Sequence, residues 1–258
     1  MSLLIDLVEG ARADAETRRV TTPYAAVESL AATAPAPLDV LDALRPADRV
    51  KILAEVKRAS PSRGRLADIP DPAALAVSYE TGGASAISVL TEERRFRGSL
   101  DDLRDVRAAV SLPVLRKDFL IDEYQVLEAR AAGADLVLLI VAALDQPTLA
   151  RLFDFTTSLG MTALVETHDA DEVERALEVG AGLIGVNARD LSTFELDQDL
   201  FGRLADRIPG SVIRVAESAV KSAADVAHYR KAGADVVLVG EALVTGDPVA
   251  RIQEFLSA

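Results

Sequence analysis

The stretch Ala131-Ala132-Gly133-Ala134-Asp135-Leu136-Val137-Leu138-Leu139-Ile140 carries the signal from which the fold is read. A glycine set between alanines ends a helical pattern, and an unbroken apolar run follows it. Glycine suits the left-handed residue that closes a helix. A short, continuous run of branched residues suits a strand buried on both faces of a parallel sheet. The same turn recurs as Gly82-Gly83-Ala84, Val179-Gly180-Ala181 and Ala232-Gly233-Ala234, each before another apolar run. The glycines at 83, 133, 180 and 233 lie 50, 47 and 53 residues apart. Helix capping alone explains each glycine singly, but not their period.

Working outward from these turns, eight runs are predicted as strands: 52–57, 84–90, 113–117, 134–140, 162–166, 182–187, 212–217 and 234–240. Helical spacing falls between them at 72–80, 99–109, 122–131, 146–158, 169–178, 198–207 and 221–231, and once more at 247–256. Strand and helix alternating in this way predict an α/β fold, a closed (β/α)8 TIM barrel, with an open doubly wound sheet as the runner-up. Four near-equal quarters close a ring more naturally than they build an open sheet.

The first residues differ. Leu4, Leu7, Val8 and Ala11 share one helical face, and a Pro/Ala segment around Pro23, Pro35 and Pro37 follows, where helix is not expected to persist. Residues 1–48 are therefore expected to form an N-terminal helical arm packed on a barrel spanning 49–258, in one domain overall.

Composition removes several function classes. Half of the 258 residues are hydrophobic and only 4% are aromatic, so the core must be built from Ala, Val, Leu and Ile. The formal charge of −13 argues against a general nucleic-acid or anionic-membrane binder, and any anionic ligand must be drawn in by a local group of cations. With no cysteine, disulfides, thiolate metal sites and a cysteine nucleophile are excluded. His168 and His228 are too few for a three-histidine metal site, although carboxylate sites stay open. The N-terminus lacks the pattern of a leader, and no apolar stretch is long enough to span a bilayer. A cytoplasmic protein is expected, with a monomer as the expected state and oligomers left open.

In a barrel, function gathers at the C-terminal ends of the strands. There the chain carries Glu55 and Lys57, Arg116 and Lys117, Glu166, Asn187 followed by Arg189, and Glu217 followed by Ser218. These are expected to converge on one mouth; the competing reading is that each is solvated or paired with a neighbour. Lysines and carboxylates crowded into a partly dry cavity shift one another's proton affinity, which suits proton transfer. His168 reads as loop or cap before catalysis, and Asp118 as a loop anchor. The loops after strands seven and eight, with Ser218 and Gly240, are the usual phosphate cradle of a barrel. No dinucleotide or Walker glycine fingerprint is present.

The motifs AEVKRASPSRG (54–64), SVLTEERRFRGSL (88–100), PVLRKDFLIDEYQVLEAR (113–130), LVETH (164–168), GVNARDLSTFELD (185–197), AESAV (216–220) and VLVGEALV (237–244) together resemble the indole-3-glycerol phosphate synthase family. The resemblance runs from about Lys51 to the end, and the arm is similar to that family's helical extension. It implies a TIM barrel that needs no cofactor or metal. The implied reaction is ring closure of 1-(2-carboxyphenylamino)-1-deoxyribulose 5-phosphate, releasing carbon dioxide and water, in tryptophan biosynthesis. The implied partner is thus a small anionic substrate bearing phosphate and carboxylate, with no nucleic acid or membrane.

By the same resemblance, Lys117 is the general acid that protonates the substrate carbonyl and Glu166 a general base. Lys57 holds substrate and assists dehydration, while Glu55, Asn187 and Glu217 orient the lysines and the substrate. Arg189 contacts the substrate carboxylate. Phe96, Phe119, Leu138 and Leu191 enclose the anthranilate ring. Ser60, with the backbones at Ala219, Gly240 and Glu241, lies near the phosphate. Which lysine donates which proton is left open. The chemistry agrees on its own terms: a carbonyl becoming an alcohol needs a nearby donor, and rearomatisation needs a base. An ammonium and a carboxylate from different strands are expected to supply both without neutralising each other directly.

Two positions depart from the family pattern. Ala219 stands where glycine is usual, at a cost of about 1 kcal/mol or more if the position needs positive φ. Glu241 stands where a small hydroxyl residue is often found, and would repel a phosphate unless its side chain turns away. Other readings remain: a Schiff-base aldolase with Lys117 as nucleophile, a phosphoribosylanthranilate isomerase lacking its cysteine base, or a barrel kept only for binding.

Overall fold

The computed structural model describes residues 3–61, 63–190 and 195–258. Three helices come first: α1 (Leu3–Thr21), α2 (Tyr24–Thr33) and α3 (Val40–Leu44). Eight parallel strands follow: β1 (Lys51–Val56), β2 (Ala86–Leu90), β3 (Val114–Lys117), β4 (Leu136–Ile140), β5 (Thr162–Thr167), β6 (Leu183–Asn187), β7 (Ile213–Glu217) and β8 (Val236–Val239). Each pairs with the next, and β8 pairs back onto β1 from Lys51↔Val236 to Ala54↔Val239. That closing ladder decides between ring and open sheet: the fold is a (β/α)8 TIM barrel.

The crossover helices are α4 (Pro72–Gly82), α5 (Leu100–Ala109), α6 (Glu123–Ala131), α7 (Gln146–Ser158), α8 (Ala170–Glu178), α9 (Leu200–Ala205) and α10 (Ala223–Lys231). A single turn, α11 (Glu241–Val244), and then α12 (Pro248–Leu256) follow the last strand. Their starts are written locally. Asp71, Ser99, Asp122, Asp145, Asp169, Ser222 and Asp247 each accept a backbone N–H of the helix they precede. Each such cap stabilises by about 1 kcal/mol.

The four periodic glycines all adopt the left-handed conformation, with φ of +99° at Gly83, +87° at Gly133, +80° at Gly180 and +96° at Gly233. A second device marks two of these turns. Asp135 accepts the N–H of Val114 at 2.8 Å, and Asp235 accepts that of Arg214 at 2.9 Å. The carboxylate before β4 thus bonds β3 as the one before β8 bonds β7.

Between the prolines the chain departs from expectation. Tyr24–Thr33 is helical, because Pro23 occupies the N-cap, where its missing N–H is not needed, and Pro35 lies beyond the last turn. The arm reaches both ends of the barrel. Asp135 accepts the N–H of Leu38 at 2.8 Å, and Lys51 donates to the carbonyl of Ala43 at 2.6 Å, which fixes α3 at the N-terminal rim. Val40 and Leu44 of α3, and Leu7 and Ala11 of α1, pack with the interior layer of Leu53, Leu115, Leu138 and Leu164. The opposite strand faces join a larger core under the helices.

The pleat corrects one expectation. Lys117 faces the interior, so its neighbour Arg116 must face outward, beneath α6, and does not reach the mouth. Fully buried there, Arg116 donates to Asp118 at 3.1 Å, to Glu128 at 3.3 Å, to the Thr91 hydroxyl at 3.1 Å and to the Gln125 carbonyl at 2.7 Å. Arg18 of α1 adds a fork onto Glu128 at 2.6 and 3.0 Å. Removing one partner of a buried ion pair strands the others. Arg116→Ala is therefore expected to lower the unfolding free energy in urea by about 3–5 kcal/mol, and a loss below about 1 kcal/mol would contradict this account.

Candidate active site

The C-terminal ends of the strands open into a cavity whose floor is set by the alternation just described. Each odd strand sends one charged side chain inward: Glu55 from β1, Lys117 from β3, Glu166 from β5 and Glu217 from β7. Alternate strands supply the layers of a barrel interior, so these four share one level. The Lys117 ammonium donates to Glu166 and to Glu217, 3.2 Å from each. The expectation that acid and base avoid neutralising each other directly is thus not met. Side chains from β3, β5 and β7 point at one axis and meet there.

Burial alone would weaken the hold of Lys117 on its proton, but Glu217, Glu166 and Glu55 outweigh it and raise its affinity above the ordinary lysine value. Burial would likewise raise Glu166, yet Lys117, His168 and Asn187 hold it below the usual carboxylate range. Glu217 goes the other way. Burial and the adjacent Glu166 charge raise it despite Lys117. The two carboxylates around one ammonium are thus pushed in opposite directions, Glu166 down and Glu217 up, and they titrate as a coupled pair.

Asn187, the last residue of β6, donates to Oε1 of Glu166 at 3.1 Å. Its own oxygen accepts from the Ser218 hydroxyl at 2.8 Å and from the Arg189 N–H at 3.0 Å. Lys57 pairs with Glu55 beside Gly240. A Cβ at Gly240 would overlap the Glu55 carboxylate, and one at Gly185 would overlap that of Glu217. These glycines are openings for buried acids.

The walls are apolar. Phe96 and Phe119 stand with ring centroids 6.3 Å apart, near Leu138 and, from the arm, Leu7. Glu92 fixes the loop carrying Phe96 by accepting the N–H groups of Arg94, Arg95 and Phe96 at 3.1, 2.7 and 2.9 Å. Asp118 accepts the Phe119 N–H at 2.8 Å. At the far end Ser60, Arg189, Ser218, Ala219, Gly240 and Glu241 line the same cavity. Leu191 lies outside the described residues. Among the described residues, no group of three or more His, Asp and Glu side chains is arranged to hold a metal ion. No helix among them is long and apolar enough to cross a membrane.

A family model described as indole-3-glycerol phosphate synthase matches residues 4–255. The chain belongs to the indole-3-glycerol phosphate synthase family. An indole-3-glycerol phosphate synthase from Leifsonia xyli subsp. xyli is 73% identical over 255 residues, covering 99% of this chain and 98% of the relative. One from Mycolicibacterium gilvum is 59% identical over 258 residues, covering 100% of this chain and 94% of the relative. Among solved structures, the N-acetylmannosamine-6-phosphate 2-epimerase from Clostridium perfringens matches with a TM-score of 0.61 at 15% identity, covering 80% of this chain and 90% of that one. This last likeness shows the barrel alone.

For a member of this family, three contacts were not legible beforehand. Leu7 reads in sequence as arm packing, yet it lines the cavity. His168 reads as a cap, yet its ring lies 3.3 Å from Glu166. Arg63, from the loop after β1, pairs with Glu241, so that carboxylate is met by a guanidinium rather than left to face a phosphate alone. Helical spacing marks Leu7 as a packing residue but not as cavity lining, and no periodicity marks the other two.

Ala219 has φ +60° and Ser218 before it φ +68°, so the position is left-handed, the condition under which alanine is costlier than glycine. Ala219→Gly is expected to raise the unfolding free energy by about 1 kcal/mol. The same variant should lower the Michaelis constant if strain there weakens phosphate binding; unchanged stability would show that the turn relaxes at no cost.

Proposed function

We propose that this cavity closes the indole ring of 1-(2-carboxyphenylamino)-1-deoxyribulose 5-phosphate, with Lys117 as general acid and Glu166 as general base. The observation that carries the reading is the Lys117 ammonium, held 3.2 Å from both Glu166 and Glu217 beside an aromatic wall. The anthranilate ring lies between Phe96, Phe119 and Leu138. Its carboxylate faces Arg189. Ser60, Ser218 and the backbone at Ala219, Gly240 and Glu241 receive the phosphate.

Lys117 gives its proton to the ketone oxygen as the carboxylate-bearing ring carbon bonds to the carbonyl carbon. An alkoxide is far more basic than an ammonium, so even a lysine with raised affinity donates to it. Carbon dioxide then leaves that ring carbon and aromaticity returns. In the dehydration the new hydroxyl departs as water with a proton from Lys57, and Glu166 takes a proton from the neighbouring CH2 carbon. Two protons enter and one leaves, so each turnover consumes one. Glu55, Asn187 and Glu217 hold the two lysines and the base in place. The reaction needs no cofactor in this scheme, and the substrate is a small anionic sugar derivative, bearing a phosphate and a carboxylate, met by a monomeric, cytoplasmic enzyme. Residues 1–48 act as an arm of the same domain, closing the cavity with Leu7.

A Schiff-base nucleophile must be a neutral amine. Lys117, clamped by two carboxylates, holds its proton instead, which disfavours the aldolase reading. The test is direct: incubate the protein with the carboxyphenylamino-deoxyribulose phosphate and follow indole fluorescence. Turnover is expected in wild type, with a loss of about 10²–10³ in kcat for Lys117→Ala and a comparable loss for Glu166→Gln. No product from wild type, or full activity from Lys117→Ala, overturns the proposal.

A further inference from the structure

Glu166 has two oxygens in different surroundings. Oε2 faces the Lys117 ammonium at 3.2 Å. Oε1 accepts from Asn187 at 3.1 Å and lies 3.3 Å from Nε2 of His168. His168 follows β5 directly and is not part of the cavity lining, so it does not meet a substrate there. Its other ring nitrogen, Nδ1, lies 3.0 Å from Glu172 in the first turn of α8, and that same carboxylate oxygen accepts the His168 backbone N–H at 2.7 Å. The ring is therefore fixed at both ends between two carboxylates, one on its own strand and one on the following helix.

A neutral imidazole can donate from only one nitrogen. Facing carboxylates on both sides, this one is held as the doubly protonated cation. We propose that His168 is a positioning residue for the base: it holds Oε1 of Glu166, leaves Oε2 as the oxygen that meets the substrate, and keeps Glu166 ionised with a second positive charge. The proposal rests on Glu166 being the base. The groups facing Glu166 are Lys117 from β3, Asn187 from β6, Glu217 from β7 and His168; those facing His168 are Glu166 and Glu172. Lys117 divides its charge between Glu166 and Glu217 inside the cavity, and His168 divides its own between Glu166 and Glu172, adding positive charge to Glu166 from outside the cavity. The proton affinity of the ring agrees with the geometry. Burial opposes protonation, but the close pairing with Glu166 and the hydrogen bond to Glu172 prevail and push it up to about 10.

The sign of the effect follows. Removing a cation beside a carboxylate raises that carboxylate's pKa, so the acidic limb of activity moves to higher pH. For His168→Phe we expect the acidic limb of kcat/KM to move up by about one pH unit or more. At neutral pH kcat should fall roughly tenfold, with KM within about twofold, because the ring touches the base and not the substrate. His168→Gln offers an amide to the same oxygen without the charge. It should recover part of kcat while keeping the shifted limb, and it supplies the readout if the phenylalanine variant folds poorly. Glu172→Gln should move the limb in the same direction by less.

Wild-type pH profiles for both His168 variants would overturn the proposal, as would a limb that moves to lower pH. Glu166→Gln, measured alongside, separates the two readings. If that variant keeps full activity, the base assignment itself falls. If it is inactive while the His168 variants titrate as wild type, only the role of His168 falls.

Discussion

One ammonium held between two buried carboxylates constrains much of the upper barrel. Lys117 lies 3.2 Å from both Glu166 and Glu217, in a layer otherwise surrounded by Leu, Ile and Val. Buried charges are tolerated only when they are paired and hydrogen-bonded, and several features follow from that. Gly185 leaves room for the Glu217 carboxylate, as Gly240 does for that of Glu55. Asn187 spends its amide N–H on Glu166 and its oxygen on Ser218 and Arg189, so the ends of β5, β6 and β7 are tied to the same charge cluster. Ser218 and Ala219 then accept a left-handed backbone that neither prefers. A site built this way is stiff before any ligand arrives, as electrostatic stabilisation of a developing charge requires.

The walls are held by a different system. Arg94 forks onto Asp14 of α1 at 2.9 and 2.6 Å, Arg18 onto Glu128, and Arg19 reaches Asp122 at 2.7 Å. These bonds join α1 to the loop carrying Phe96 and to the helix after Phe119. The arm is thus fastened to both aromatic walls, and Leu7 sits where those walls meet. Its exposed contacts are individually weak; together with the buried Arg18–Glu128–Arg116 chain they form a network anchored in the barrel.

The barrel was legible in the sequence because its signals are local and repeated. Gly133 and its three counterparts announce a helix end before a strand, and Asp71, Ser99 and Asp122 announce helix starts. The residues at the strand ends were legible as a set, since Glu55, Lys117, Glu166 and Glu217 are costly on buried strands without a shared purpose. What they do to one another was not legible. Whether Lys117 and Glu166 touch depends on the tilt and stagger of closed strands, which no single strand encodes. The helix at Tyr24–Thr33 escaped because prolines suggest interruption, although at a first turn or beyond a last one they only mark boundaries. His168 and Arg63 escaped because their partners, Glu166 two residues back and Glu241 far along the chain, follow from the folding of side chains over the strand ends and obey no period.

The neighbours Arg116 and Lys117 also bear on how the barrel counts its strands. Hydrophobic alternation normally pins register, because a slip of one residue turns the apolar face outward. Here the strands are apolar on both faces, so greasy side chains alone tell inside from outside poorly. The polar pairs make that distinction. A one-residue slip of β3 would drive Lys117 under α6 and swing Arg116 into the mouth, breaking the pairs that Arg116 makes with Asp118 and Glu128 and that Lys117 makes with Glu166 and Glu217. The buried charges on the two faces of β3 thereby act as an index mark, selecting one stagger of the closed sheet from its near-equivalents.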